Sequence, residues 1–215
     1  MIKAVSFDLD GTLVDGKFVD SVWFEEIPRQ YSLKHGVPLK TALSKIKREY
    51  AAVGDGRREW YDINFWIKKF KLDVDYLQIF RNCLPYLKLH QDVIPVLRKL
   101  KRKYKLILVT NAAREFLEFE IKHLKIRKFF QFTFSSISDL ETIRKNWRLY
   151  LKVAKIVGVK PEEMVHVGDH FKYDYLEAKK AGLKSIYIDR SGRKKGQGII
   201  KNLNELEEML STHQL

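Results

Sequence analysis

One cysteine, Cys83, stands in a chain of 215 residues, which excludes an intramolecular disulfide and any cysteine cluster for zinc. No apolar run approaches the roughly 18 residues of a membrane span. The opening Met1-Ile2-Lys3-Ala4-Val5-Ser6-Phe7-Asp8 lacks the long apolar stretch that a signal peptide places behind its basic residue. These absences predict a cytoplasmic protein with no membrane partner. Internal repeats, low-complexity tracts and coiled-coil heptads are also missing. Negative charge is the scarcer sign: 27 Asp and Glu against 41 Lys and Arg give a net charge of +14. Such a field attracts nucleic acid, acidic surfaces and small phosphate esters alike. It equally describes a solvated lysine surface of the kind common in heat-adapted proteins.

What is present is a globular composition, with 45% apolar residues and room for one large domain or a medium domain carrying an insertion. Short apolar runs alternate with helical patterns, the signature of a parallel sheet built from crossover units. Strands are predicted at Lys3–Phe7, Lys105–Val109, Phe130–Phe134, Met164–Val167 and Ser185–Ile188. Helices are predicted at Asp92–Lys103, Arg114–Leu124, Asn146–Val157, Tyr173–Ala181 and Asn204–Leu210, with Gly158 and Gly182 placed as C-terminal caps. Between about Lys17 and His90 only helical spacing is found: Leu39, Leu43, Ile46 and Tyr50 form one face, and Trp60, Ile63, Ile67 and Phe70 another. The reading is an α/β protein. A three-layer Rossmann-like core with a mainly parallel sheet spans residues 1–15 and 91–215, and a small all-helical domain spans 16–90. Gly54–Arg58 and Ser191–Gly198, rich in glycine and basic residues, are the segments expected to be mobile.

Four groups of residues carry chemistry. The first strand runs into Asp8-Leu9-Asp10-Gly11-Thr12, two carboxylates at the carboxyl edge of a sheet, where α/β proteins place their ligands. Burying both is costly without a cation or other partner. Thr110 and Asn111 end the second apolar strand, where short donors and a helix N-terminus can hold an anionic oxygen. Arg144 and Lys145 precede a helix. Val165-His166-Val167-Gly168-Asp169 is followed at spacing five by Asp174, and hard carboxylates gathered at strand ends suit Mg²⁺.

In this order the motifs Asp-x-Asp-Gly-Thr, Thr-Asn, a basic residue and Gly-Asp-x-x-x-x-Asp resemble the four motifs of the haloacid dehalogenase-like hydrolase superfamily, from residue 8 to residue 174. The resemblance implies the phosphatase type with a helical cap after the first motif, at 16–90, which closes over the site to exclude water and select substrate. It implies Asp8 as a nucleophile that forms an aspartyl-phosphate, and Asp10 as general acid and then general base. Mg²⁺ would be held by Asp8, the Asp10 carbonyl and Asp169, with Asp174 behind them. Thr110, Asn111 and the basic residue would hold the phosphoryl oxygens.

The third motif departs from the family pattern, since Lys-Pro-x-Pro is replaced by Arg144-Lys145-Asn146-Trp147. Counting back from Gly158 puts Arg144 at the lysine position; the compact ammonium the family uses there makes Lys145 the choice. His166 reads as a packing histidine, Asp15 and Gly16 as hinge or contact residues, and Arg57 and Arg58 as solvated loop charges. The cap tryptophans read as its own small core. The expected function is Mg-dependent hydrolysis of a small phosphorylated metabolite. A phosphomutase of the same family is the second enzyme reading. Dehalogenation is disfavoured because it needs neither an acid at Asp10 nor a metal. A non-catalytic nucleic-acid or partner-binding module is the reading from another class, resting on six basic residues within Arg98–Lys105. That run fits the solvated side of a helix, so no specific nucleic-acid partner is expected. Substrate identity and oligomeric state are not written in the sequence.

Overall fold

Apolar runs of four to six residues become five strands of a parallel sheet, joined at one edge by a two-residue strand. The strands are β1 (Ala4–Phe7), β2 (Lys105–Thr110), β3 (Phe132–Ser135), β4 (Met164–Gly168), β5 (Lys184–Ile188) and β6 (Ile199–Ile200) in the computed structural model, which describes residues 1–212. Among these residues the sheet order is β3-β2-β1-β4-β5-β6, with every pair parallel. This is the Rossmann-like doubly wound order, in which the chain reverses direction across the sheet at β1. The carboxyl ends of β1, β2 and β4 therefore meet at one crevice, the place such sheets use for ligands. Phe7, Val109 and Val167 are buried, as expected where helices cover both faces.

The chain divides into two compact units, Gly16–Lys88 and the remainder, Met1–Asp15 with the chain from Leu89 onward. Leu89 and His90 pack with the latter because Leu89 bridges Val14 and the His90 amide donates to the Leu13 carbonyl at 3.1 Å.

Gly16–Lys88 is helical throughout its regular structure: α1 (Lys17–Ser21), α2 (Ile27–His35), α3 (Leu39–Val53), α4 (Ile63–Lys69) and α5 (Tyr76–Cys83). Its core is aromatic. Tyr50 meets Trp66 edge to face at a centroid distance of 4.6 Å, and Trp66 stacks on Phe70 at 5.4 Å. All three are buried, so these rings are packing groups of this unit. Arg57 is exposed and pairs with Glu59 at 2.7 Å; its neighbour Arg58 is exposed too.

In the larger unit, α6 (Val93–Leu100) buries Val93, Val96, Leu97 and Leu100 and leaves Arg98 and Lys99 in solvent. α7 (Arg114–His123) follows β2, and α8 (Trp147–Val157) precedes β4. Helix α8 starts where the Asn146 side chain accepts the Leu149 amide at 3.1 Å and stops where Gly158 turns left-handed at φ 72°. It buries Leu149, Tyr150, Val153 and Val157, each worth about 1.5–3 kcal/mol over an exposed position. The helix expected at Tyr173–Ala181 is instead a π-helical turn, Phe171–Leu176, running into the short α9 (Glu177–Lys180). That wide turn brings Asp174 inward beneath β4. Finally α10 (Leu203–Ser211) follows β6, a strand too short to carry a sequence signal.

Candidate active site

Asp8 directly follows β1, Thr110 ends β2, and Asp169 directly follows β4, so parallel register alone puts them side by side. The Asp8 amide donates to the Val167 carbonyl at 2.9 Å, extending the ladder to the first carboxylate. Beyond it the chain turns at Gly11, whose φ of +77° suits glycine. A Cβ there would also overlap the Asp169 carboxylate.

The centre is built around a buried cation. Lys145, only 1% exposed, donates to Asp8 Oδ1 at 2.6 Å, to Asp174 Oδ1 at 2.5 Å and to the Val109 carbonyl at 3.3 Å. Of the two basic candidates before α8, it is thus Lys145 whose charge enters the carboxylate cluster. Arg144 goes elsewhere: its guanidinium lies over the Tyr173 ring at 5.1 Å and donates to the Tyr173 hydroxyl. The Lys145 backbone is fixed by Asn111, whose Oδ1 accepts the Lys145 amide at 2.8 Å and the Ser136 hydroxyl at 3.1 Å. Thr110 is buried, and its hydroxyl accepts the Ala112 amide at 3.1 Å.

Asp174 is fully buried and fully occupied. Beyond Lys145 it accepts from His166 Nε2 at 3.1 Å, the His170 amide at 2.9 Å and the Tyr150 hydroxyl at 3.5 Å. Burial would raise its proton affinity, but the Lys145 charge and the His166 hydrogen bond outweigh it and hold Asp174 below the usual carboxylate range. His166 itself is pushed down by burial, so it is a neutral ring donating from Nε2, with Nδ1 2.8 Å from Ser6 Oγ. Lys145 is pushed down by burial and pulled up further by Asp174 and Asp8, leaving it raised and charged.

Asp8 behaves oppositely. Burial pushes its carboxyl well above the usual range, Lys145 opposes this, and Asp174 and Asp169 add to it. Asp169 is raised as well, by burial and then by Asp174. Oxygens of Asp8, Asp169 and Asp174 lie within 4.8 Å of one another. With the Asp174 oxygens already taken, Asp8 and Asp169, whose ionisation is disfavoured by burial and by neighbouring acids, are the hard carboxylates a divalent cation would relieve. The residues present therefore fit a metal such as Mg²⁺. The Asp10 carboxylate is outside this triad.

One participant escapes sequence reasoning. Glu120, on α7, is completely buried. Burial first, and then the nearby charges of Asp10 and Asp8, push its carboxyl well above the usual range. The signal was a lone acid on the apolar face of a helix, between Leu117 and Ile121.

Comparison with known proteins identifies the family. The family model for haloacid dehalogenase-like hydrolases matches residues 2–182. A glyceraldehyde 3-phosphate phosphatase of Methanopyrus kandleri is 28% identical over 205 residues, covering 88% of this chain and 85% of that protein. The GMP/IMP nucleotidase YrfG of Escherichia coli is 27% identical over 169 residues, covering 78% and 74%. Among solved structures, a HAD phosphatase of Thermococcus onnurineus aligns with a TM-score of 0.85 at 28% identity, over 97% of this chain and 98% of that one. A sheet in Rossmann-like order, acids and a lysine converging where β1, β2 and β4 end, and a family match across most of the sequence lead to one conclusion: the chain belongs to the haloacid dehalogenase-like hydrolases, and it is an enzyme of the hydrolase class.

Proposed function

We propose that this hydrolase is a Mg²⁺-dependent phosphomonoesterase that works through an aspartyl-phosphate on Asp8. The observation that carries the reading is the Lys145 ammonium 2.6 Å from Asp8 Oδ1, inside a cluster with Asp169 and Asp174. A buried nucleophilic carboxylate facing a dianionic ester needs such positive charge, and Lys145 supplies it. Asp8, the Asp10 carbonyl and Asp169 would hold Mg²⁺, which when bound screens the acids and polarises the phosphoryl group.

In the first step an Asp8 oxygen attacks phosphorus in line, the P–O bond to the ester breaks, and Asp10 gives its proton to the leaving alcohol. In the second, Asp10 takes a proton from water, the water oxygen attacks phosphorus, and the P–O bond to Asp8 breaks. Inorganic phosphate leaves and the carboxylate is restored. Thr110, Asn111 and Lys145 hold the phosphoryl oxygens. Met1–Asp15 with the chain from Leu89 is assigned as the catalytic core, and Gly16–Lys88 as the helical cap. The substrate class is a small phosphate ester, supported by relatives named for a nucleotidase and a triose phosphatase activity. Among the described residues no helix is long and apolar enough to cross a membrane.

Phosphate release over a panel of sugar phosphates, triose phosphates and nucleoside monophosphates tests this, with Mg²⁺ present and then removed by EDTA. Release that needs Mg²⁺ is expected; full activity in EDTA would overturn the metal assignment.

A further inference from the structure

The loop that carries Asp8 and Asp10 satisfies most of its own backbone. The amides of Thr12, Leu13 and Val14 all donate to the Leu9 carbonyl, at 3.3, 2.8 and 3.0 Å, and the Gly11 amide donates to Val14 at 2.8 Å. The Thr12 carbonyl is taken from far away in sequence. Arg190, two residues after β5, donates to it from both Nε at 3.2 Å and Nη2 at 2.6 Å. Its remaining arm, Nη1, donates to Asp92 Oδ2 at 2.6 Å, and the same oxygen accepts the Leu203 amide at 2.6 Å. The guanidinium is therefore clamped between α6, the start of α10 and the loop.

Thr12 links this clamp to the site. It is fully buried, and its hydroxyl donates to Asp169 Oδ1 at 3.4 Å. One residue thus has its carbonyl fixed by Arg190 and its side chain on a carboxylate of the candidate metal centre. Its neighbour Gly11 approaches that carboxylate too closely for any side chain. A rotation of the whole Thr12 residue, its carbonyl included, would move the hydroxyl off Asp169 and shift Gly11 against it. Two charge-assisted bonds from a planar fork resist that rotation better than one from an ammonium.

We infer that Arg190 is a positioning residue, which sets the Thr12 peptide and through it the placement of Asp169 and of the loop bearing Asp8 and Asp10. The inference rests on the phosphatase reading for its kinetic consequence, and not for its structural one.

The test compares wild type with Arg190→Lys and Arg190→Met in three measurements: steady-state kinetics on a phosphate ester, calorimetric Mg²⁺ binding, and hydrogen exchange of the amides of residues 9–14. Both variants are expected to exchange faster in that segment and to bind Mg²⁺ about tenfold more weakly, the usual cost of losing support behind a ligand. Their kcat is expected to fall about tenfold or more with KM little changed, as for lost transition-state alignment. Arg190→Lys keeps a cation beside Asp92 and should fold if Arg190→Met does not, so it alone can decide. Unchanged exchange in residues 9–14 of Arg190→Lys overturns the inference. So does a fall in melting temperature with kcat and Mg²⁺ affinity intact. Wild-type protein that releases no phosphate from any ester refutes the phosphatase reading instead, and the exchange measurement still decides the role of Arg190.

Discussion

Lys145 Nζ lies 2.6 Å from Asp8 Oδ1 with both side chains nearly sealed from solvent. Asp174 holds the same ammonium from another side at 2.5 Å. One cation thus serves two carboxylates with opposite tendencies, Asp174 settled as an anion and Asp8 pushed toward its neutral form. The asymmetry comes from neighbours. Asp174 has His166 and the His170 amide in addition to the lysine, whereas Asp8 faces Asp169 and Asp174. A carboxylate kept poorly satisfied beside a well satisfied support suits the nucleophilic part proposed for Asp8.

Removing the cation should be costly twice over. Lys145→Met leaves Asp174 and Asp8 buried against each other, and loss of one partner from a buried ion pair typically costs about 3–5 kcal/mol. Urea unfolding should show a loss of that order, and phosphate release should drop by about two orders of magnitude or more, as for other donors lost from a charge-stabilising site. Near wild-type turnover in a folded Lys145→Met protein would show that the lysine is only structural.

Asp8→Asn should separate stability from activity. The amide cannot form the aspartyl-phosphate, so turnover should fall by about six orders of magnitude, as when a covalent nucleophile is removed. Because burial and two carboxylates disfavour the ionised Asp8, the same change should leave the melting temperature equal to or above that of wild type at neutral pH. A variant that is both inactive and much less stable would place the main role of Asp8 in folding.

Asp8, Thr110 and Asp169 were legible because each sits at or next to a strand end, and an apolar strand announces its own edge. They needed only the parallel order to meet. Whether Arg144 or Lys145 supplies the cation was not legible, because spacing and chemistry disagreed and only the turn before α8, fixed by Asn111 and Asn146, directs one side chain inward and the other onto Tyr173. Asp174 was legible as a residue but not in its depth, since a π-helical turn follows the same apolar spacing as an α-helical start. Glu120 and Arg190 were hidden for a different reason. Their partners, Asp10 and Thr12, lie more than 100 residues away in sequence, and no local pattern encodes such a meeting. The two-residue β6 is defined by its neighbour β5 and not by its composition.

Gly168 offers a geometric test of the Asp174 placement. A Cβ on Gly168 would overlap the Asp174 carboxyl group and its Cβ, and Asp174 is held on the other side by Lys145 and His166. Gly168→Ala should therefore displace Asp174 or unfold the turn that carries it, in either case lowering kcat. Gly56→Ala, in the other unit, meets no neighbour and serves as the control with unchanged kinetics. Equal turnover in the two variants would mean that Asp174 can move without consequence.

Glu120 gives the pH dependence. Its folded proton affinity is raised well above the usual value near 4.5, with burial the largest cause and Asp10 the next. In the unfolded chain the carboxyl ionises near that usual value, while in the folded protein it stays protonated to higher pH. The folded state then binds more protons, so the contribution of Glu120 to stability is full at acid pH and declines as pH rises through the interval between the two affinities. Glu120→Gln removes the titration but keeps the shape. The stability difference, Gln over Glu, should therefore be small at pH 4 and grow in favour of Gln toward pH 8, as measured by urea unfolding across that range. A difference that is flat with pH, or that shrinks as pH rises, would mean that Glu120 is ionised in the folded protein and that Asp10 does not share its buried pocket.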